Sequence, residues 1–363
     1  MNAIAFQVQI LDALLVTEDK ESIIISNRNQ KWETLMEKNL KTGGKKGLVT
    51  PSTALLNQRL ATFSKPRMLT EYEIKLLRQS KVEIAEAIRE MDMAKQGEAY
   101  LIKIRMIDTI LSQLKMIEES HQVRILYALE SGSRAWGFAS LDSDYDVRFL
   151  YVHPVEWYLS IRDQRDVIEI PITDSLDING WDLKKALKLF CKSNPPLLEW
   201  LRSPIVYRDV EGLAESLRNL IPTCFSPKNG MYHYLHMAKG NFREYLQGES
   251  VWTKKYFYVL RPVLACEWIA RYGAVPPPVE FRKLVNGLDL DAAVIHEIDI
   301  LLQKKIAGDE LDNGPKNHIL HQFLENSLTH LDNCLNGLQT TEPDLGILDE
   351  LFRRMVYAAW GQS

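Results

Sequence analysis

Cysteine is scarce and poorly spaced for anything but free thiols. Cys191, Cys224, Cys266 and Cys334 lie far apart with no C-x-x-C pair. That spacing excludes a structural zinc site and a disulfide framework, and a reducing cytoplasm is the expected compartment. The eight histidines include no H-E-x-x-H arrangement. No apolar run approaches the roughly 18 residues of a membrane span, so no membrane partner is expected. Residues 3–15 are mostly apolar, but Gln7, Gln9 and Asp12 interrupt them and no basic segment precedes, so they do not read as a signal peptide. Internal repeats and long low-complexity tracts are missing. An excess of positive charge is missing too: the formal net charge is −4. A chain that wraps duplex nucleic acid along its whole length is normally basic, which leaves room here only for a local basic groove.

What is present is an ordinary globular composition. The 363 residues are 46% hydrophobic, 25% charged and 9% aromatic, enough for two or three domains with a sizeable core. Residues 1–65 hold an apolar stretch (Ile4 to Val16), a β-branched run (Ile23 to Ile25) and a polar segment, Lys41 to Gly47, that fails the P-loop pattern. They are read as an N-terminal extension without assigned chemistry. Thr70 and Glu73 form a capping-box pattern opening a helix, and a second helix is expected after Gly97. The runs at 123–129, 145–152, 167–172 and 175–179 read as strands. Leu183, Ala186, Leu187 and Phe190 mark a helix that stops at Asn194-Pro195-Pro196. Beyond Pro204 everything reads as helix, with elements near 211–220, 229–247, 255–272, 291–306, 316–337 and 343–360, and Pro262 is expected to kink the third. The expected fold is α+β: a small mixed sheet with flanking helices in residues 66–205, then a helical domain, 206–363, closing over a cleft.

The chemistry concentrates in Glu130 to Arg148, ESGSRAWGFASLDSDYDVR. A buried strand runs into Ser131-Gly132-Ser133, and ten residues later Asp144-Tyr145-Asp146 opens the next strand. Side chains two apart on a strand share a face, so Asp144 and Asp146 project together about 7 Å apart. Carboxylates so placed repel unless a cation stands between them, and a divalent metal resolves that economically. Gly132 lets the backbone approach an anion, and Ser133 adds a hydroxyl and an N–H, together a phosphate cradle. A cradle facing a carboxylate pair is what Mg-nucleotide chemistry needs. A calcium loop starting at Asp142 would require glycine at 147 and glutamate at 153, where Val147 and His153 stand.

Glycine-serine, about ten residues, then D-x-D entering a strand resembles the DNA polymerase β-like nucleotidyltransferases. The spelling GSRAWG…DSDYD is similar to a narrower YcgL-like predicted nucleotidyltransferase family, whose relatives lie beside RNA ligases in RNA-repair gene clusters. The likeness runs through Asp177 to Leu183, Lys185, Ser193-Asn194-Pro195, Glu199-Trp200-Leu201 and Lys254 to Pro262, covering roughly residues 100–285. It implies nucleotidyl transfer from a nucleoside triphosphate, ATP being the expected one, with Mg2+ (two ions, or Mn2+ in their place). It also implies that Asp144, Asp146 and a third carboxylate hold the metals, that Gly132, Ser133 and Arg134 meet phosphate, and that Lys185 lies at the nucleotide. Asp177 matches the third acid best, with Asp182 and Glu169 in reserve. Asp182 also reads as a helix N-cap, and Arg134 equally as a carboxylate partner. Ser131, where the superfamily carries an apolar residue, and the extra acid Glu130 depart from the pattern.

Several other features have plainer readings. Lys184, Lys188 and Lys192 form a solvated helix face, and His233 and His236 are structural. Lys254, Lys255, Tyr256 and Arg261 are candidates to reach the cleft, while Tyr256, Tyr258 and Trp268 read as core or interface. The acceptor (an RNA end, a protein or a small molecule) and the oligomeric state stay open. Intact aspartates argue against a catalytically silent binding module.

Overall fold

The computed structural model describes residues 51–60, 70–173, 175–309 and 311–361. The segments noted at Ile4 to Val16, Ile23 to Ile25 and Lys41 to Gly47 lie outside them. The chain divides into two compact units, residues 1–104 and 105–363.

In the first unit, α1 spans Pro51–Leu60 and α2 begins at Glu71. The capping box is made in both directions: Glu73 N–H donates to Thr70 Oγ1 (3.3 Å), and Thr70 N–H donates to Glu73 Oε2 (2.8 Å). Ser52 Oγ donates to Glu83 Oε1 at 2.7 Å, tying α1 to α2. The expected break near Gly97 is absent, and α2 continues to His121 as one helix of 51 residues. A glycine costs a helix about 1 kcal/mol but removes no hydrogen bond, and no proline follows to stop the propagation.

The second unit is built on a five-stranded mixed sheet, order β3-β4-β2-β1-β5. β1 (Arg124–Glu130) leads through the short α3 (Gly132–Trp136) to β2 (Tyr145–Val152). α4 (Val155–Tyr158), β3 (Val167–Glu169) and β4 (Leu176–Asp182) follow. β1 runs antiparallel to β2 and β5, β3 antiparallel to β4, and β2 parallel to β4. β3 is shorter than its apolar run, and β4 extends three residues past the expected Asn179 to Asp182.

After α5 (Leu183–Cys191) and α6 (Pro195–Trp200) comes the main correction, because the stretch beyond Pro204 is not all helix. Val206–Asp209 is β5, paired with β1 at the sheet edge. Four residues carry no helical or strand period of their own, and the open edge of β1 decides the matter. The remaining helices are α7 (Leu213–Cys224), α8 (Pro227–Tyr245), α9 (Lys255–Tyr272), α10 (Phe281–Asn286), α11 (Ala292–Ala307), α12 (His318–Gly337) and α13 (Leu345–Trp360). A second two-stranded sheet, equally unheralded, pairs β6 (Ser250–Trp252) with β7 (Asn313–Pro315). α9 runs through Pro262 without ending.

The two faces of the sheet have different covers. Ile110, Leu114 and Ile117 of α2 pack on Ile125, Val147, Phe149, Tyr151 and Ile178. Leu126, Leu129, Leu150 and Val152 point the other way, into a core shared with α5 and continuous through the C-terminal helices. Gly180 is part of this fit. A Cβ there would stand 2.1 Å from the Phe149 ring on the neighbouring strand. Gly180→Ala is therefore expected to lower unfolding free energy by about 1–3 kcal/mol. Adding Phe149→Leu should recover part of that loss, so a double-mutant cycle by denaturant unfolding checks it. Strictly additive costs would mean the ring is not the obstacle.

Candidate active site

The site lies where β1 ends and β2 and β4 begin, on the sheet face that also carries Leu150 and Val152. Parallel pairing sets Asp146 opposite Asp177, so two strands well separated in sequence place their acids side by side. Asp144 precedes Asp146 by two residues and is exposed, whereas Asp146 and Asp177 are half-buried. Arg148, on the same face two residues further along β2, answers their charge. Its Nη2 donates to Asp177 Oδ2 at 2.8 Å and to Asp146 Oδ1 at 3.2 Å, and its Nη1 donates to the carbonyls of Val147 and Asp177. Burial raises the Asp146 carboxyl above the usual range; Arg148 opposes this, and the charges of Asp177 and Asp144 add to it.

The glycine-serine turn is pressed against Asp146. Ser131 N–H donates to the Asp146 carbonyl at 2.8 Å. Gly132 has φ +58°, and a Cβ on it would lie 2.0 Å from Asp146 Oδ2. Glycine is needed there for both reasons. Ser133 follows, half-exposed, in the first turn of α3.

Beneath this turn Glu130, read in the sequence only as an extra acid, has a structural task. It is fully buried, accepts from Asp146 N–H at 2.8 Å and accepts a short hydrogen bond from Tyr207 Oη of β5. Burial pushes its carboxyl up to about 7. Sequence reading had no means to see this bond, because β5 supplies the tyrosine.

Other expected site residues are placed elsewhere or otherwise engaged. Arg134 donates to the carbonyls of Ser143 (2.6 Å) and Asp144 (3.1 Å), and its guanidinium lies 3.6 Å from the Tyr145 ring centroid. It shapes the loop that carries Asp144. Lys185 pairs with Asp166 at 2.8 Å. It follows the far end of β4: Asp182 pairs with Tyr151, five register steps from the Asp146–Asp177 pair, or about 17 Å along the strand. The fold does not bring Lys185 to the carboxylates.

Asp182 is the N-cap of α5, accepting from Lys184 N–H and from Tyr158 Oη at 2.7 Å, with burial raising it to about 6. Glu169 pairs with Arg165 at the sheet edge. Of the three acids considered beside the D-x-D pair, Asp177 is the one in register with Asp146. Arg148 was missed, although its position two residues past Asp146 already put it on the same strand face.

The helical part contributes in an unexpected way. Arg261, one of the candidates to reach the cleft, is buried in an ion pair with Glu199, which also accepts from Tyr234 Oη (3.1 Å), and its guanidinium lies 4.8 Å from the Trp136 ring. Tyr256 is core and accepts from Asn317 N–H. Lys305 of α11, not singled out in the sequence, donates to Ser140 Oγ (3.2 Å) and Ser143 Oγ (3.3 Å) in the loop before Asp144. Among the described residues no three metal-ligating side chains converge tightly enough to hold an ion as they stand. Arg148 sits between two of the acids, and Mg2+ needs only one or two carboxylates when phosphate and water complete its shell. The all-oxygen donor set of Asp144, Asp146 and Asp177 fits that ion.

With this geometry in hand, the comparisons with known proteins are specific. The RNA repair pathway DNA polymerase beta family matches residues 106–354. The chain belongs to that family. It is 49% identical over 252 residues to the uncharacterized protein YcgL of Bacillus subtilis (strain 168), covering 69% of this chain and 96% of that one. A crystal structure of a nucleotidyltransferase-like protein from Exiguobacterium sibiricum 255-15 is 10% identical, covering 62% of this chain and 75% of that one, with a TM-score of 0.23. The matched span takes in the sheet, the carboxylates and most of the helical part, and leaves out residues 1–105. Among the described residues no helix is long and apolar enough to cross a membrane.

The buried Glu130 generates a prediction about stability. Its folded value, about 7, lies above the ordinary 4.5, so the folded state keeps a proton that the unfolded chain releases between those pH values. That contribution is complete below pH 4.5 and is lost as pH rises through about 7, a fall on the order of 3 kcal/mol. Glu130→Gln should remove this part of the pH dependence. Thermal unfolding of both proteins in EDTA at pH 5 and 7.5 tests it, and parallel Tm profiles would contradict it.

Proposed function

We propose that this protein is a Mg-dependent nucleotidyltransferase that moves a nucleoside monophosphate from a nucleoside triphosphate, ATP first among the candidates, onto an acceptor hydroxyl in RNA repair. The observation that carries the reading is the register of β2 and β4, which sets Asp146 beside Asp177 with Asp144 two residues away. Family membership supports the transferase class and the RNA context.

In the reaction, the acceptor oxygen bonds to the α-phosphorus while the bond to the bridging oxygen breaks, and pyrophosphate leaves. Asp144, Asp146 and Asp177 would hold Mg2+, which supplies charge neutralisation at the phosphate oxygens when bound. Gly132 and Ser133 take the β- and γ-phosphates at the start of α3. Asp177 accepts the proton of the attacking hydroxyl. Arg148 keeps Asp146 and Asp177 apart and aimed when no other cation is there. Most of the barrier lowering then comes from positioning and preset charge. Four free cysteines suit a cytoplasmic enzyme.

Label from an α-phosphate-labelled nucleoside triphosphate should enter an RNA acceptor with magnesium and not with EDTA. Asp144→Asn, Asp146→Asn and Asp177→Asn should each lower the rate at least ~100-fold. Product destroyed by ribonuclease supports the RNA acceptor. Label that resists ribonuclease but yields to protease would move the assignment to protein modification. Transfer that survives Asp146→Asn would end the metal-carboxylate reading.

A further inference from the structure

In the helical part, three aromatic rings gather around one lysine. Lys255 Nζ lies 4.1 Å from the Tyr245 ring centroid, 4.9 Å from Tyr258 and 5.6 Å from Trp252. The Tyr245 and Trp252 rings are 6.2 Å apart. Tyr258 meets Trp136 edge-on at 6.3 Å, and Trp136 closes the helix that begins at Gly132. The rings therefore lead outward from the phosphate turn, and the hydroxyl of Tyr258 feels the charge of Asp146.

Tyr245 is half-buried against the core, but the other two rings are not filling it. Trp252 is 46% exposed and Tyr258 40%, although Tyr256 and Phe257 beside them are buried. β6 and α9 hold the two rings in place at the surface. Among the described residues no carboxylate pairs with Lys254 or Lys255. Lys254 is exposed, and burial first, then the nearby charge of Lys254, lowers the Lys305 ammonium. A chain of net charge −4 thus concentrates three lysines and three rings at one edge of its candidate active site. Cations tracking a backbone beside rings that accept any base face are the means by which proteins hold single strands.

We propose that Trp252 and Tyr258, beside Lys255, form a stacking platform for the bases of a single-stranded RNA acceptor, with Lys254 and Lys255 against its phosphates. Two exposed rings offer more stacking surface than the single base of an incoming nucleotide covers, which favours the strand. The placement of the strand's end at Asp177 rests on the nucleotidyl-transfer reading; the binding itself does not.

The test is fluorescence anisotropy of the full chain with an end-labelled, unstructured oligoribonucleotide of about 12 nucleotides, alongside transfer kinetics. Trp252→Ala should weaken binding about tenfold or more, the ratio expected for one lost stack. Trp252→Phe, which keeps a ring, should restore most of it, with circular dichroism unchanged in both. In transfer, Trp252→Ala should raise KM for the oligonucleotide and leave KM for the triphosphate as it was. Equal binding by Trp252→Ala and the natural protein would overturn the platform, as would no binding by the natural protein. A rise confined to the triphosphate KM would also overturn it, reassigning the rings to the incoming base. Failure of the enzyme reading looks different: no transfer by the natural protein, yet binding that Trp252→Ala still loses, leaves the platform standing.

Discussion

Mutual repulsion of carboxylates is the constraint on which the rest of this structure turns. Strand pairing sets Asp146 beside Asp177 at one end of one sheet face, with Asp144 two residues ahead of Asp146, and half-burial of the paired acids makes their charges harder to screen. The protein answers with Arg148, whose guanidinium bridges Asp146 and Asp177. The main chain of Asp146 is then held from two sides: its N–H goes to Glu130 and its carbonyl accepts from Ser131. Gly132, lacking a Cβ, leaves room for the Asp146 carboxylate. A group so held cannot drift to relieve repulsion, and that preset arrangement is what a cation and a triphosphate can exploit.

The helical part is more than a cover. Glu199 and Arg261 form a largely buried pair, with Tyr234 and the Trp136 face against it. Burying two charges costs free energy that the pairing repays only with good geometry. What this pair achieves here is location: it anchors the end of α3, and with it the turn at Gly132, to α6, α8 and α9. Lys305 does the same for the loop ahead of Asp144 through two serine hydroxyls. The Gly132 turn and the loop ahead of Asp144 are both set by residues distant in sequence.

Charge is distributed to match. Acids gather at the candidate site, lysines stand on the helical side facing it, and the overall balance of −4 conceals both. Composition therefore argued against a nucleic-acid coat while leaving a local surface for a strand, and Lys254, Lys255 and Lys305 with their neighbouring rings form such a surface.

Much of this was legible in the residues themselves. The amphipathic period of the C-terminal helices, the apolar run entering Gly132 and the capping box at Thr70 are all local, and local chemistry decides them. Asp177 could be ranked first among the acids, but register with Asp146 rather than any neighbour in sequence sets it apart from Asp182, a cap, and Glu169, a sheet-edge ion pair. Lys185 looked well placed because it follows Asp177 closely in sequence. Five residues of β4 lead to the opposite end of the sheet, and Lys185 follows there in the first turn of α5. β5, Tyr207 and the burial of Glu130 were invisible for the same reason, since a four-residue edge strand exists only once β1 is there to pair with it. Sequence alone determined which groups could do chemistry and which elements carry them. Only the tertiary structure decided which groups meet, because strand register and helix docking are contacts between residues that no local pattern links.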